Sequence, residues 1–195
     1  MALLRSFASA TSSPTLRGEQ VLLRPAVMSD YSQWSHLRGE SRSFLESWEP
    51  IWPADDLTRL SFRRRIRRYQ QDVRNGIGYP FFIFSADGHT LLGGLTLGQI
   101  QRGVSQSAVL GYWMGERYAN KGFMTASVRA VTSFAFDTLR LNRVEAACLP
   151  NNEASMRLLQ KVGFEREGYA RKYLCIDGRW QDHVLFGYVR DDQRG

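Results

Sequence analysis

The sequence predicts a single domain of the mixed α/β class. Its 195 residues are 43% hydrophobic and 12% aromatic, which is enough to bury one sizeable core. Asp87-Gly88 and Asp177-Gly178 are turn signals between strand-like runs and so predict antiparallel hairpins. Between these turns, a strand-helix-strand-helix order from Ser107 to Gly163 adds a parallel crossover unit.

The first half of the chain predicts a strand at 21–24, which Pro25 ends, and a helix at 29–38. The prolines and tryptophans of 44–53 indicate an ordered loop. Asp55 and Asp56 are then expected to open an arginine-rich helix that ends near Gly76. We expect 1–17 to be a flexible tail without a targeting role, 18–190 the domain, and 191–195 a short C-terminal tail.

The second half predicts strands at 81–84, 91–100 and 107–115. A largely buried helix is expected over 123–139, because apolar residues recur there at helical spacing. A strand at 143–149 leads through Pro150-Asn151-Asn152 into a helix that ends at Gly163. Residues 167–189 complete the pattern as two strands around the Asp177-Gly178 turn.

Composition excludes several classes of protein. No apolar run is long enough to span a bilayer, and two separated cysteines with three scattered histidines predict neither a disulfide framework nor a metal site. The net charge of +7 suits an anionic partner. Much of the excess lies in a run that is either a solvated helix face or a surface for RNA or a ribosome, with Arg63, Arg64, Arg67 and Arg68 as its candidate contacts.

The segment YWMGERYANKGFMTAS carries the strongest chemical signal. A strand enters a short basic turn and then an amphipathic helix, so backbone N–H groups at the helix N-terminus, together with Arg117 and Lys121, can bind a diphosphate. Gly122 leaves room for the phosphates. Neither the P-loop pattern nor the GxGxxG fingerprint of dinucleotide folds is present.

RYANKGFMTA resembles the pyrophosphate motif R/Q-x-x-G-x-G/A of the GNAT acetyltransferases, with Asn120 at the middle glycine. Asn is among the residues that most readily adopt positive φ. LPNNEASMRLLQKVGFEREG is similar to the NxxS and K-x-G-F segment of the same family. Over 21–189 the chain resembles the RimJ-like and RimL-like branch, which acetylates protein N-termini.

This resemblance implies a mostly antiparallel sheet, splayed in its middle, with helices on both faces and acetyl-CoA at the splay. Backbone amides of Tyr112, Trp113 and Met114 are expected to bind the thioester and pantetheine, whereas the two aromatic side chains are more typical of core. Asn152 either binds pantetheine amides or caps the following helix. The expected cofactor-binding residues are Tyr112, Trp113, Met114, Arg117, Asn120, Lys121, Gly122, Phe123, Met124, Thr125, Asn152 and Ser155.

The tyrosine that many family members use to protonate the thiolate is absent, since Leu158 and Leu159 occupy that stretch. The resemblance implies Ser155 as its substitute, although a serine in a first helical turn also serves as a cap. Glu49, with Glu46 and Asp182 as alternatives, is the expected base or ammonium ligand. Cys148 is expected in the core.

The expected reaction is direct transfer of acetyl from acetyl-CoA to the N-terminal amine of a protein that begins with Ala or Ser, such as a ribosomal protein, in the cytoplasm and without a metal. Two alternatives stay open. One is acetylation of a small amine, which an acid-rich acceptor pocket would favour. The other is a CoA-binding protein without turnover that contacts RNA or DNA through its basic face.

Overall fold

The computed structural model describes residues 14–190, whose strands form one sheet in the order β1-β2-β3-β4-β5-β6-β8-β7. Every neighbouring pair is antiparallel except β5 and β6, which are parallel. The strands are β1 (Leu16–Gly18), β2 (Val21–Arg24), β3 (Tyr79–Ser85), β4 (Leu91–Gln101), β5 (Ser107–Met114), β6 (Arg143–Cys148), β7 (Glu165–Ile176) and β8 (Arg179–Val189).

Helices cover both faces of this sheet, as expected. They are α1 (Tyr31–Glu40), α2 (Arg42–Glu46), α3 (Arg59–Arg74), α4 (Phe123–Ser133) and α5 (Glu153–Val162). Alternate residues of β3 point to opposite faces. Phe81 and Ile83 join the core beneath α4 and α5, whereas Phe82 and Phe84 join a smaller core with Phe62 of α3.

The mixed α/β class and the splayed sheet are both confirmed. β5 pairs with β6 only from Ser107↔Arg143 to Leu110↔Ala146, so Gly111–Met114 diverges from β6 while it stays paired with β4. The backbone N–H and C=O groups of this segment that face β6 have no partner on that strand. A ligand can form hydrogen bonds with them instead.

Two element boundaries differ from expectation near the N-terminus. Leu16 and Arg17 were expected in a flexible tail but pair with β2. Of the two expected tails, residues 1–13 and 191–195 lie outside the described residues. Part of the expected 44–53 loop is helical, because α2 continues closely from α1 through Ser41.

Two helices differ from expectation at their ends. The arginine-rich helix begins at Arg59 rather than at the two aspartates, since the Thr58 hydroxyl accepts from Ser61 N. Asp55 and Asp56 instead form ion pairs with Arg64 and Arg65. The helix expected over 123–139 widens into a π-helical turn at Phe134–Thr138. No helix in the described part of the chain is long and apolar enough to cross a membrane.

Candidate active site

The turn between β5 and α4 has the geometry expected of an anion site. Asn120 and Gly122 both have positive φ, 58° and 85°, which turns the chain sharply before α4 begins at Phe123. Asn120 therefore adopts the conformation for which the family motif uses glycine. The first-turn N–H groups of α4 have no intrahelical acceptor and are available to phosphate oxygens.

Cations surround this turn. Arg117 is exposed and lies 3.6 Å from the Glu40 carboxylate. Lys121 lines a groove of about 700 Å³ along α4 whose charged residues are Arg17, Glu19, Lys121, Arg129, Asp137 and Lys161. Four cations against two acids give the groove a net positive lining, which suits a phosphate-rich ligand. Of the remaining turn residues, Met124 is buried, Phe123 packs on the core and Thr125 lines the groove.

The splay itself brings Tyr112 and Ser155 together. Tyr112 Oη lies 2.6 Å from Ser155 Oγ, so β5 is joined to the first turn of α5 across the opening between β5 and β6. Asn152 caps α5 by accepting from Ser155 N at 3.1 Å, which fixes where the serine points. Asn152, the expected cap, and Ser155, the expected site serine, are thus directly hydrogen-bonded to each other.

Burial controls the ionisation of this cluster. It raises the pKa of Tyr112 well above its ordinary value, against a smaller lowering by the bond to Ser155. Burial likewise raises the pKa of the Cys148 thiol, with Ser155 again opposing the shift. Both groups therefore stay protonated near neutral pH. The protonated tyrosine can donate to Ser155 Oγ or accept from it. Cys148 is a buried thiol, 6% exposed, as expected of a core residue.

Glu49 lies in a different cluster. Its carboxylate accepts from Arg38 Nη1 at 3.0 Å and Nη2 at 2.6 Å, and from Trp52 Nε1 at 2.7 Å. The Arg38 guanidinium stacks 4.0 Å from the Trp52 ring centroid and 5.0 Å from that of Trp113. These contacts favour an anchoring role for Glu49 over the proton transfer expected from the sequence.

A second recess lies near the splay, at the β7–β8 hairpin. About 390 Å³ in volume, it is lined by Pro150, Asn151, Arg179, Trp180, Gln181 and Asp182. Asp182 accepts from Lys172 N at 2.8 Å and from Tyr169 Oη at 2.7 Å. The bond from Lys172 N, followed by that from Tyr169, lowers the pKa of this carboxyl.

The hairpin also touches the loop that holds Glu49, since Asp177 N donates to Glu49 O at 3.0 Å. This bond joins the loop at 47–58 to the β7–β8 hairpin, and the two segments together are named the acceptor wall, after the role proposed for them. Within residues 14–190 no group of three or more His, Cys, Asp or Glu side chains is arranged to hold a metal ion.

Sequence reasoning missed two side chains, Arg38 and Tyr112. Arg38 follows Trp34 by one helical turn and lies beside Leu37, and all three are buried. A cation on the apolar stripe of α1 was therefore the available signal. Tyr112 was expected to act through its backbone alone. Nothing in the sequence indicates that its hydroxyl meets Ser155, because the two residues lie on different elements.

Comparisons with known proteins agree with this geometry. Residues 20–165 match the model of the acetyltransferase (GNAT) domain family. The chain is 38% identical to the probable N-acetyltransferase YjcK of Bacillus subtilis, over 91% of this chain and 98% of that protein. It is 32% identical to the ribosomal protein uS5-alanine N-acetyltransferase of Escherichia coli, over 78% and 79%.

A solved structure shares the fold. Mycobacterium smegmatis RimJ in complex with CoA-disulfide superposes with a TM-score of 0.86 at 32% identity, covering 94% of this chain and 89% of that one.

Proposed function

Because this chain belongs to the GNAT family and is an acetyl-CoA-dependent N-acetyltransferase of the RimJ/RimL type, we propose that its acceptor is the N-terminal amine of a protein. The preferred terminus is Ala or Ser, and a ribosomal protein is the expected substrate. The single observation that carries this proposal is the recess at the β7–β8 hairpin. Asn151, in the turn that leads into α5, lines this recess. The next residue, Asn152, accepts a hydrogen bond from Ser155 N, so the recess lies close in sequence to the proposed proton donor.

The chemistry of the recess suits a peptide better than a polyamine. Asp182 is its one acid and Arg179 its one full cation among the lining residues. Asp182 accepts only from the uncharged donors Tyr169 Oη and Lys172 N, so its negative charge can still pair with a single ammonium. The charge of Glu49, in contrast, is paired with Arg38. A polyamine or aminoglycoside carries several positive charges and calls for several acids. The recess is also open at the surface, so the rest of a polypeptide can extend away from it.

In the proposed mechanism the neutral amine attacks the thioester carbonyl of acetyl-CoA, which forms the C–N bond and places negative charge on the carbonyl oxygen. Unpaired backbone N–H groups of the diverging Gly111–Met114 segment stabilise that oxyanion. The C–S bond then breaks, and the thiolate takes a proton from Ser155. Tyr112 is hydrogen-bonded to Ser155 Oγ and orients that hydroxyl. The amine releases one proton to solvent, and solvent returns one proton to Ser155, so the enzyme ends in its starting protonation state.

Glu49 has a positioning role in this scheme. Both of its carboxylate oxygens are occupied by Arg38 and Trp52, so the residue fixes the loop that forms one side of the acceptor wall. We expect the reaction to take place in the cytoplasm, where acetyl-CoA and ribosomal proteins meet. The free thiols of Cys148 and Cys175 suit a reducing compartment.

Release of free CoA thiol tests the proposal, with peptides that begin with Ala, Ser or Met, small amines, and a reaction without acceptor. We expect turnover on Ala and Ser peptides that is lost when the peptide N-terminus is blocked. Turnover only on small amines would contradict the peptide assignment. Acetyl-CoA binding without turnover on any acceptor would favour a non-catalytic role.

A further inference from the structure

The outer face of α3 is unusually basic for a helix of this length. The helix has seven arginines and one aspartate in 16 residues. Its inner side packs through Phe62, Ile66 and Val73, which are buried. The remaining side, here called the arginine face, consists of the exposed residues Arg63, Arg64, Arg67, Arg68 and Arg74.

Much of this positive charge is not neutralised. Arg64 pairs with Asp55, Arg68 lies over the Tyr69 ring and Arg74 bonds Gln71. The side chains of Arg63 and Arg67 make no hydrogen bond, ion pair or ring contact with any other residue of 14–190. They stand one turn apart, and like charges at this spacing destabilise a helix by roughly 0.2–0.5 kcal/mol. Folding therefore gains nothing from these two cations.

We propose that the arginine face binds the phosphodiester backbone of RNA. A helix of this length is about 24 Å long and presents its guanidinium groups in a row, as an RNA strand presents its phosphates. Each guanidinium can bind two phosphate oxygens at once and can stack on a base. Arginine supplies every exposed cation of this face, with no lysine among them.

An acidic protein fits this face less well. Protein interfaces have an apolar centre surrounded by polar residues, and here the exposed apolar residue, Leu60, stands at the N-terminal end of the helix. The centre of the face is Arg63, Arg64 and Arg67. The choice of RNA over DNA rests on the proposed function, because a ribosomal substrate would be approached beside ribosomal RNA.

The arginine face follows the loop of the acceptor wall directly in the sequence. Thr58 caps α3 directly after the loop that carries Glu49, and the backbone of that loop binds the β7–β8 turn. RNA bound along α3 would therefore hold an associated protein on the acceptor side of the enzyme. The basic groove along α4 belongs instead to the other face of the sheet.

Fluorescence anisotropy with a labelled RNA duplex of about 20 base pairs tests the proposal across a salt series. The test variant is Arg63→Gln/Arg67→Gln, which breaks no contact within the described chain. Its matched control is Arg140→Gln/Arg166→Gln, which removes the same charge from two exposed arginines elsewhere. We expect the test variant to lose about ten-fold in affinity at about 50 mM salt and about two units of the log–log salt slope. The control should change less than about two-fold.

Several outcomes would overturn the proposal. Equal losses in both double variants would mean diffuse attraction by net charge. Binding that is insensitive to salt, or tighter binding of a polyglutamate peptide than of RNA, would assign the face to another partner, and equal binding of a DNA duplex would remove the commitment to RNA. Acetylation of a short Ala peptide by the test variant should stay within about two-fold of the unmodified enzyme, so failure of the peptide assay and failure of RNA binding are separate results.

Discussion

The two regions to which we assign the acetyl donor and the acceptor are built in different ways. The donor side consists of two consecutive strand-helix units, β5–α4 and β6–α5, and presents mainly backbone N–H groups at a splay and at a helix N-terminus. The proposed acceptor side joins a loop near Glu49 to the β7–β8 hairpin from the far end of the sequence through one backbone hydrogen bond. The loop itself is held by side-chain bonds among Arg38, Glu49 and Trp52. Backbone geometry therefore forms the proposed donor side, whereas paired side chains hold the loop of the proposed acceptor side.

The largest expected effect of a single substitution is on the acceptor side. Glu49→Gln leaves the Arg38 cation without a counter-charge, and the two side chains are only 6% and 20% exposed. Breaking a buried ion pair by removing one partner is strongly destabilising. We expect the free energy of unfolding, measured by urea titration, to fall by about 3 kcal/mol.

Glu46→Gln is the matched control for this substitution. Its partner Arg42 lies 2.5 Å away, but these side chains are 42% and 55% exposed, so the change should be below about 0.5 kcal/mol. A Glu49→Gln variant with unaltered stability and an acetylation rate reduced more than about 100-fold would restore Glu49 as the general base.

A smaller effect is expected on the donor side from Gly122→Val. Gly122 has φ of 85°, and a Cβ added to it would meet no atom within 4 Å, so the cost is backbone strain and not a clash. Relief of that strain would move the amides that we expect to bind the pyrophosphate. Titration calorimetry should show acetyl-CoA affinity reduced about 30-fold, which corresponds to about 2 kcal/mol.

Gly103→Val is the control that separates backbone strain from the loss of acetyl-CoA affinity. Gly103 also has positive φ, 69°, and no atom within 4 Å of an added Cβ, but it lies in the β4–β5 turn. It should destabilise the fold comparably and leave acetyl-CoA affinity unchanged. If both variants bind acetyl-CoA equally well, the turn before α4 does not hold the pyrophosphate.

The same contrast explains how far the sequence could predict this protein. Turn residues, helical spacing and the basic turn at 117–122 are local signals, so the strands, most helices and the backbone geometry of that turn could be predicted from them. Asn120 shows this well, because its positive φ was expected from its place in the motif. Boundaries failed where tertiary pairing decided the outcome, as for Leu16, which pairs with Leu23 of β2.

The sequence could not predict which side chains form hydrogen bonds when the two residues lie on different helices, strands or loops. Glu49 was expected to be a base because it stood among tryptophans in a loop. Its partner Arg38 comes from α1, and no local pattern links the two. For Tyr112, the strand alternation fixed which face it occupies but not that α5 would bring Ser155 within hydrogen-bond distance.

The smallest expected effect is on kcat and comes from Ser155 and Tyr112, which lie between the two sides, where we propose that the thiolate leaves. Ser155→Ala removes the proposed proton donor, whereas Tyr112→Phe removes only the hydroxyl that is hydrogen-bonded to Ser155. A thiol has a pKa near 8.5 and leaves tolerably as a thiolate, so we expect kcat to fall about ten-fold for Ser155→Ala and about five-fold for Tyr112→Phe, with little change in KM for acetyl-CoA.

The double variant decides whether the tyrosine acts through the serine. If Tyr112 only orients Ser155, the double variant should be no slower than Ser155→Ala alone, whereas multiplied losses would mean that each hydroxyl acts independently. Tyr31→Phe, which removes a hydroxyl that bonds Leu57 O, is the control and should leave kcat unchanged. Burial raises the pKa of Tyr112, so the coupling should persist unaltered up to at least about pH 9.5.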